Sequence, residues 1–374
     1  MPFHRQGMPD FFLLLPIGLL LALGVVMVYS ATYYISMIDY SDPTYYLKRE
    51  LMWVVLGVVV MLFMMRIDYH RLRRFANVAL LVAVALLTLV VLPGLGTISH
   101  GSQQWIAIGG FTFQPSELAK LCMILYLAAV LEKEGEQLHD FAHGFLPPLL
   151  VVTLLFVLIM LEPDMGTGVV LMATGLIVLF AAGVRLRHLA TVLIPVPLAF
   201  LALAFSSSYR KERIFAFLNP WKDPLGNGWN LIQSYFALGH GGLFGQGLGQ
   251  GFEKFFYLPE PQSDFIFSVL GEELGFVGTS ATLLLYGLLL WRGLRAAMLA
   301  PDVFGSLLAT GVCAMIGVQV IVNVAVATGV FPVTGITLPL LSYGGTSLVV
   351  ILAGLGVVLN ISRQARIYGG QGEG

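Results

Sequence analysis

The sequence predicts an all-α polytopic membrane protein of about ten transmembrane helices, with both termini on the cytoplasmic side. The first observation is composition: of 374 residues, 57% are apolar and 11% are charged, and the mean hydropathy is +0.86. A soluble domain has about 25% charged residues, so the chain is too apolar to be one. The second is a series of apolar runs that suit a hydrocarbon core of about 30 Å. The third is an uneven distribution of basic residues among the loops.

The apolar runs define the candidate spans, and the chain 1–374 is predicted to be a single integral-membrane domain. The fifth and sixth runs are separated only by Glu162-Pro163-Asp164-Met165, so a tight helical hairpin is expected with its turn at the membrane surface. The runs cover residues 11–31, 51–65, 75–92, 115–131, 145–161, 166–183, 188–205, 264–291, 304–328 and 343–361.

Basic residues indicate how these spans are oriented. With the N-terminus inside, the short loops on the opposite side hold only Lys48 and Arg49. Lysine and arginine are enriched in cytoplasmic loops, so both termini are predicted to be cytoplasmic. The net charge of −1 does not indicate a class of partner, and a nucleic-acid role has no basic cluster to support it. The predicted cytoplasmic basic residues are Arg5, Arg66, Arg71, Arg73, Arg74, Lys133, Arg185, Arg187, Arg292, Arg295, Arg363 and Arg366.

Two segments between the spans are predicted to lie on the extracytoplasmic side. Loop 206–263 is far longer than a connection requires, and loops of this size are usually functional. Its aromatic and apolar residues are typical of short amphipathic helices at a membrane interface. Residues 329–345, GVFPVTGITLPLLSYGG, are apolar but interrupted by proline and glycine, which predicts a re-entrant segment. Such irregular backbone is tolerated in a membrane only where protein or a wet cavity surrounds it.

The stretch 258–275 carries the first candidate catalytic residue, Asp264, followed by Glu272 and Glu273. Acids that lead into a membrane helix are costly unless they are paired, hydrated or used. The span from Asp264 is longer than the bilayer needs, so Asp264 can lie at headgroup level with the two glutamates deeper. Partial desolvation would raise the pKa of an aspartate toward that of a useful general base. The alternative is that Asp264 caps the helix.

Charged residues elsewhere on the predicted outer side are further candidates. Glu117 and Lys120 are three residues apart and therefore share a helical face, either as a structural ion pair or as the wall of a cavity that meets an anion. Arg49 and Arg213 are either interfacial anchors or ligands for phosphate. Asp164 is interpreted as a helix cap, with a divalent cation or an arginine as alternative partners.

Uncharged polar residues complete the candidate set. Gln233, Asn323, Thr334 and Ser342 lie in or beside apolar segments. Their side chains can bond either sugar hydroxyls or neighbouring helices, and the sequence leaves both possibilities open.

Several stretches, in order along nearly the whole chain, together resemble one family: the shape, elongation, division and sporulation (SEDS) polymerases of the bacterial cell wall. The motifs KDPLG, KFFYLPEPQ and PVTGITLPLLSYGG are more similar to those of the division (FtsW) and sporulation (SpoVE) branch than to those of the elongation (RodA) branch. The stretches are YYLKRE at 45–50, QWIAIGGFTFQPSELAKL at 104–121, EPDMGTG at 162–168, RIFAFLNPWKDPLGNGWNLIQS at 213–234, GGLFGQGLGQ at 241–250, LPEPQSDFIFSVLGEELGFVG at 258–278 and NVAVATGVFPVTGITLPLLSYGGTS at 323–347.

The resemblance implies a membrane glycosyltransferase that polymerises lipid II into peptidoglycan at the outer face of the bacterial cytoplasmic membrane. It implies a catalytic aspartate at Asp264 and a partner, a class B penicillin-binding protein, that cross-links the strand. It also matches Arg49, the Glu117–Lys120 pair and Asp164 to family positions. Glu162 stands where the family commonly has Gln, and Ser263 where it commonly has Thr.

The expected mechanism uses Asp264 as the base for the acceptor sugar's hydroxyl. Arg49, Lys120 and Arg213 are the candidate cations for the departing pyrophosphate, and a divalent cation, Mg²⁺ or Mn²⁺, could share that role. The rival functions are a lipid II flippase or transporter and a non-catalytic division scaffold. The sequence does not distinguish among roles in elongation, division and sporulation.

Overall fold

The structure is a computed structural model that describes residues 9–92, 96–99, 102–108, 111–194, 215–255 and 257–369. It confirms the all-α architecture. The helices of the described part are α1 (Phe11–Tyr40), α2 (Tyr45–Arg66), α3 (Ala76–Val91), α4 (Pro115–Glu134), α5 (Leu146–Leu161), α6 (Met165–Ala181), α7 (Leu186–Leu193), α8 (Trp229–Gly241), α9 (Ile266–Met298), α10 (Val303–Ala327) and α11 (Gly345–Gly369). Short 3₁₀ and π segments cover Tyr69–Phe75, Gly135–His139, Phe141–Phe145 and Pro220–Lys222.

Six helical stretches in the described residues are long and apolar enough to cross a membrane. Helices α2 and α4 coincide with predicted spans but carry charged residues near their ends, and α6 is a shorter apolar helix. The predicted seventh span, 188–205, lies largely outside the described residues. The exact number of ten spans therefore stays a prediction. The six stretches are Phe11–Tyr40, Tyr69–Val91, Phe141–Leu161, Ile266–Met298, Val303–Ala327 and Gly345–Ala365.

The first two helices extend further than the apolar runs predicted. Helix α1 continues to Tyr40 instead of ending near residue 31, and α2 begins at Tyr45 instead of residue 51. Aromatic packing at this corner explains the extension, because the Tyr40 and Tyr45 rings stack with centroids 3.7 Å apart. As a result Arg49 lies on a helix and not in a loop.

Helix α11 is the centre of the bundle. In the most apolar part of α11, 89% of the residues are buried, compared with 67% in α10 and 22% in the Tyr69–Val91 stretch. It packs most extensively against α2 and also contacts α4, α9 and α10. The apolar side chains that α3, α5 and α9 expose on the outside are those that a bilayer would cover.

A small antiparallel sheet, which the sequence analysis did not predict, connects α3 to α4. Its strands are β1 (Thr97–Ser99), β2 (Ser102–Ile108) and β3 (Phe111–Phe113), in the order β1-β2-β3. Ile108 pairs with Phe111, so two residues, Gly109 and Gly110, connect β2 to β3. A Gly-Gly pair between two alternating segments is a hairpin signal that the helical interpretation overlooked.

Residues 330–344 contain no helix and enter the bundle, as a re-entrant segment should. The Tyr286 hydroxyl, near the middle of α9, donates a hydrogen bond to the Pro339 carbonyl. Gly24, near the middle of α1, packs directly against the Leu340 carbonyl. Residues 338–342 are all buried. The irregular backbone is therefore surrounded by protein, which is the condition for such a segment at membrane depth.

Loop 206–263 contains one well-formed helix in its described part, α8, and this helix is not simply an interfacial one. One of its faces is buried, and Ser234 Oγ lies 2.7 Å both from Ser268 Oγ on α9 and from the Ala327 carbonyl oxygen on α10. Close packing of Gly241 on the Gly271 carbonyl fixes the other end of α8. The long loop is thereby attached to the two helices that flank the re-entrant segment.

Candidate active site

Asp264 lies two residues before α9 and is half-buried. The cap position of the helix is occupied by Phe265, and no side chain caps it there. Asp264 therefore does not occupy the cap position that the alternative interpretation gave it. The main chain of Asp264 instead closes a turn, in which its N–H donates to the Glu260 carbonyl at 3.2 Å.

Asn323 on α10 fixes the main chain at Asp264. Its side-chain amide donates to the Asp264 carbonyl at 3.0 Å and to the Ile336 carbonyl at 2.7 Å. Asn323 is 1% exposed, so both bonds are shielded from water. One buried amide thus holds the aspartate's backbone against the re-entrant segment.

Ser342 and its neighbour hold the residues just before Asp264. The Ser342 hydroxyl donates to the Ser263 carbonyl at 2.6 Å and accepts from the Leu338 N–H at 2.8 Å. The Tyr343 N–H donates to the Gln262 carbonyl at 2.8 Å. Ser342, a predicted substrate contact, therefore uses its hydroxyl to position the chain before Asp264.

The carboxylate of Asp264 lies against Gly335 of the re-entrant segment. A Cβ placed on Gly335 would be 3.5 Å from Asp264 Oδ2, and Gly335 has a φ of +71° that favours glycine. The Asp264 side chain thus faces the main chain of a glycine, where no side chain crowds its carboxylate.

The predicted pairing of Glu117 with Lys120 is confirmed. Lys120 Nζ lies 2.8 Å from Glu117 Oε1, and the two residues are only 1% and 4% exposed. Glu117 Oε2 and the hydroxyl of Ser116 are buried without a hydrogen-bond partner. The first turns of α4 therefore hold a buried ion pair, in which one carboxylate oxygen of Glu117 can still accept a hydrogen bond.

Asp164 caps α6, which confirms the favoured interpretation. Its Oδ1 accepts from the Thr167 N–H at 3.0 Å, and its Oδ2 accepts from the Gln114 side-chain amide at 3.2 Å. Burial raises the pKa of Asp164, while the bonds from Thr167 and the charge of Lys120 oppose that rise. The charge of Lys120 thus acts on two acids, Glu117 and Asp164.

Residues 334–336 connect the α4–α6 cluster to Asp264. Gly166, in the first turn of α6, packs against the Thr334 carbonyl and the Ile336 side chain, and Gly335 packs against Asp264. The Thr334 hydroxyl is buried with no hydrogen-bond partner. Asp264 and the first turn of α6, which Asp164 caps, therefore border one short segment.

Glu162 is a feature of this region that the sequence analysis noted only as a departure from the family motif. It is 1% exposed, and neither of its carboxylate oxygens has a hydrogen-bond partner. Burial and the neighbouring Asp164 raise the pKa of Glu162 to about 8. It is therefore mostly protonated at neutral pH, and as a neutral group it resembles glutamine.

The remaining predicted site residues are Arg49, Gln233 and Arg213. The guanidinium of the exposed Arg49 lies 5.0 Å from the centre of the Tyr45 ring. It also interacts with the phenol of Tyr343, the residue whose N–H bonds the Gln262 carbonyl. Gln233 is buried on α8. Arg213, with Arg210 and Lys211, lies outside the described residues.

A cavity of about 150 Å³ separates the long loop from the re-entrant segment. It adjoins Thr334 through Val333, and two asparagines make part of its wall polar. Pockets for whole small ligands are about 300–1,000 Å³, so this cavity has room for only part of a substrate. Its lining residues are Ala216, Phe217, Gly226, Asn227, Asn230, Leu231 and Val333.

Glu272 and Glu273, the two deeper acids of the stretch 258–275, hold the loop and are fully buried. Glu272 Oε1 accepts from the N–H groups of Phe252 at 2.6 Å and Glu253 at 3.2 Å. The carboxylate of Glu272 is thus paired with loop amides, which is one of the conditions under which an acid is tolerated at the start of a membrane helix.

Glu273 is occupied in the same way. Its Oε1 lies 2.5 Å from Lys254 Nζ and accepts from the Ser30 hydroxyl at 2.6 Å, and its Oε2 accepts from the Gly249 N–H at 3.0 Å. The charge that looked costly in the sequence is paired with a lysine from the loop.

Helix α9 is broken at Gly275, whose φ of +67° interrupts the helical hydrogen bonds. The N–H groups of Phe276 and Val277 donate to the carbonyls of residues 242 and 243, and the carbonyls of Glu272 and Glu273 accept from the N–H groups of residues 246 and 247. Loop residues 242–247 therefore replace the helical bonds that the break removes.

The described residues contain no group of three or more His, Cys, Asp or Glu side chains that could hold a metal ion. The residues around Asp264 therefore do not fit a preformed metal centre built by the protein alone.

The chain matches the family model of the FtsW, RodA and SpoVE proteins, described as cell cycle proteins, over residues 11–367. It is 47% identical over 362 residues to the stage V sporulation protein E of Bacillus subtilis, covering 97% of this chain and 99% of that protein. It is 45% identical over 354 residues to a probable peptidoglycan glycosyltransferase FtsW of Trichlorobacter lovleyi, covering 94% and 93%. The chain belongs to the FtsW/RodA/SpoVE family, as the sequence motifs predicted.

Solved structures give the same fold. One, described as showing the structural coordination of polymerization and crosslinking by a peptidoglycan synthase complex, matches with a TM-score of 0.78 and 34% identity, covering 96% of this chain and 98% of that one. The rod shape determining protein RodA of Thermus thermophilus matches with a TM-score of 0.71 and 33% identity, covering 95% and 97%.

Proposed function

We propose that the protein is a peptidoglycan glycosyltransferase that polymerises lipid II into glycan strands during division or sporulation. Relatives at 45% and 42% identity over nearly the whole chain carry the name probable peptidoglycan glycosyltransferase, which supports this activity. The structural observation that carries the proposal is the fixed position of Asp264 beside Gly335. Asn323 holds its main chain, and Ser342 holds the main chain of the preceding Ser263.

In the proposed reaction Asp264 is the general base. Its carboxylate takes the proton of the acceptor sugar's hydroxyl while that oxygen bonds to the anomeric carbon of the donor, and the bond from this carbon to the pyrophosphate breaks. General-base catalysis contributes about 10²–10⁴-fold. A base must be positioned before it can act, and the bonds from Asn323 and Ser342 to the main chain supply that positioning.

The departing pyrophosphate needs positive charge. Arg49 is exposed and presents a planar guanidinium that suits phosphate. Arg213 remains a second candidate on the strength of the sequence. Lys120 is buried and bonded to Glu117, so its first role is to balance the negative charges of Glu117 and Asp164.

A divalent cation is proposed only as a companion of the substrate. Mg²⁺ is commonly held by one or two carboxylates together with substrate phosphates. Such an ion, Mg²⁺ or Mn²⁺, would enter with the pyrophosphate, since the described residues supply no cluster of their own.

The protein is a multi-pass membrane protein, and we place it in the bacterial cytoplasmic membrane with Asp264 on the outer side. The predominance of basic residues in the predicted cytoplasmic loops supports this orientation. A class B penicillin-binding protein is the proposed partner that cross-links the new strand. The similarity to a chain of a synthase complex that couples polymerization to crosslinking supports such a partner.

A flippase is the main rival, because transporters often bind substrate at broken helices. Helix α9 is broken at Gly275, but loop residues 242–247 bond the backbone groups freed there. The break is thus filled by the protein itself, which favours the enzyme over the transporter.

The test is lipid II polymerisation by the purified protein, alone and with a matching class B penicillin-binding protein, with glycan length read on a gel. Polymer from the wild type and none from Asp264→Asn would support the proposal. No polymer from folded wild type with its partner present would reject it, and lipid II translocation in vesicles would then test the flippase.

A further inference from the structure

A second polar cavity lies at the end of the bundle remote from Asp264. It has a volume of about 490 Å³ and is lined by His70, Arg73, Arg74, Asn77 and Lys133. These residues follow the last turn of α2, begin α3 and end α4, whereas Arg49 and Glu117 at the opposite ends of α2 and α4 border the candidate active site. Neither the proposed glycosyl transfer nor the family motifs account for this cavity.

Two of the residues that line it already contact acids. His70 Nδ1 lies 2.7 Å from Asp68, and His70 Nε2 lies 3.2 Å from Asp302. Arg73 lies 2.9 Å from Glu132 Oε2. These contacts fix the short 3₁₀ segment to α4 and α10, so they shape the wall of the cavity.

Arg74 and Lys133 supply the charge that these contacts do not balance. Both residues are exposed, and among the side chains that the structure describes no carboxylate lies within salt-bridge distance of either one. An arginine, a lysine and the Asn77 amide together present donors to one open space. Guanidinium and ammonium groups arranged in this way suit a phosphate oxygen cluster.

The surface beside the cavity is apolar. Phe75, Val78, Leu81 and Val82 are 60%, 55%, 68% and 44% exposed, and their spacing places them on one face of α3. Helix α3 belongs to a stretch that is long and apolar enough to span a membrane, so this face is directed to lipid. The cations thus lie where the apolar surface ends, at the level of headgroups.

We propose that this cavity binds the headgroup phosphate of an anionic phospholipid, whose acyl chains lie along the exposed face of α3. Charge complementarity selects the phosphate, and continuity with the apolar face selects a lipid over a soluble phosphate. Basic pockets between transmembrane helices commonly bind anionic headgroups. The volume is within the range of about 300–1,000 Å³ for small-molecule sites. The proposal is independent of the glycosyltransferase activity.

The experiment measures the thermal unfolding midpoint of the purified protein in a neutral detergent during titration with dioleoyl phosphatidylglycerol. Dioleoyl phosphatidylcholine and glycerol 3-phosphate are titrated in parallel to separate charge, acyl chains and free phosphate. The test variant is Arg74→Gln/Lys133→Gln. The matched control is Arg185→Gln/Arg187→Gln, which removes two exposed cations at the start of the short helix α7.

For the wild type and the control variant we expect a saturable rise of the midpoint with phosphatidylglycerol. In the test variant the half-saturating concentration should rise about 30-fold, since each basic residue contributes about 1 kcal/mol to binding an anionic lipid. An equal response of test and control variants would overturn the site. An equal response of the wild type to phosphatidylcholine, or to glycerol 3-phosphate, would overturn its assignment to an anionic lipid.

Discussion

Asp264 and the pair Glu272–Glu273 belong to one short stretch of sequence, yet the two glutamates are fully buried and Asp264 is half-buried. For the two glutamates the carboxylates are bonded, to loop N–H groups, to Ser30 and to Lys254. For Asp264 the bonds from Asn323 fix the main chain, and the carboxylate lies beside Gly335.

The glutamates' carboxylates therefore have a structural role, whereas the half-buried side chain of Asp264 can meet a substrate. A carboxylate that already accepts several buried bonds would have to lose them before it could take a proton, at a cost of about 1–3 kcal/mol for each group left unsatisfied. An acid whose backbone is fixed can keep its position while its carboxylate reacts. Burial alone would have favoured the glutamates, because both are more buried than Asp264.

The largest expected change in stability comes from breaking the glutamates' network. Lys254→Met removes the buried partner of Glu273, and loss of one member of a buried ion pair costs about 3–5 kcal/mol. The control is Lys48→Met, which breaks an exposed pair with Asp42 at a similar distance of 2.8 Å. Thermal unfolding in detergent should show a large loss for the first variant and little for the second. Equal losses would contradict a structural role for this pair.

The next largest expected effect tests whether fixing the main chain of Asp264 is needed for polymerisation. Asn323→Leu removes both amide bonds, and polymerisation should fall about 10–100-fold, or roughly 1.4–2.7 kcal/mol in the barrier. Asn323→Gln should also lose activity, because its longer side chain cannot keep both hydrogen-bond distances.

Gln319→Leu is the matched control, because Gln319 lies one turn earlier on α10, is equally buried and has an unbonded side-chain oxygen. It should keep its polymerisation rate. Comparable rate losses in the two variants would show that any change in this part of α10 disturbs the enzyme.

The smallest expected effect concerns Glu162. Its pKa is raised to about 8 in the folded protein, so the protonated form stabilises the fold at low pH and that contribution is lost as the pH rises from about 4.5 to 8. Glu162→Gln cannot ionise. Its unfolding midpoint should therefore exceed that of the wild type at pH 9 and match it near pH 4.5. The same difference at both pH values would show that charge is not the cause.

Local spacing explains what the sequence could predict about the site. Glu117 and Lys120 pair because residues three apart share a helical face, and Asp164 caps α6 because it immediately precedes the helix. The family motifs similarly identified the chain's family and its all-α fold.

Long-range contacts explain what the sequence could not predict. Asn323 is 59 residues from Asp264, so no local pattern distinguishes it from an ordinary polar residue of a packed helix. The bonds from residues 246 and 247 to α9 are similarly distant and depend on the break at Gly275. Apolar periodicity also missed the extension of α1, because tyrosines at its end are stabilised by partners on α2.

The most direct test compares Asp264→Asn with Glu272→Gln in one preparation, measuring both the unfolding midpoint and lipid II polymerisation per folded molecule with the partner present. We predict that Asp264→Asn keeps the wild-type midpoint and loses at least about 10²-fold in rate, as removal of a general base should. Glu272→Gln should lower the midpoint, because an NH₂ group replaces the second oxygen that accepts from the Glu253 N–H, and it should retain its rate. Full activity of folded Asp264→Asn would contradict the assignment of Asp264 as the base.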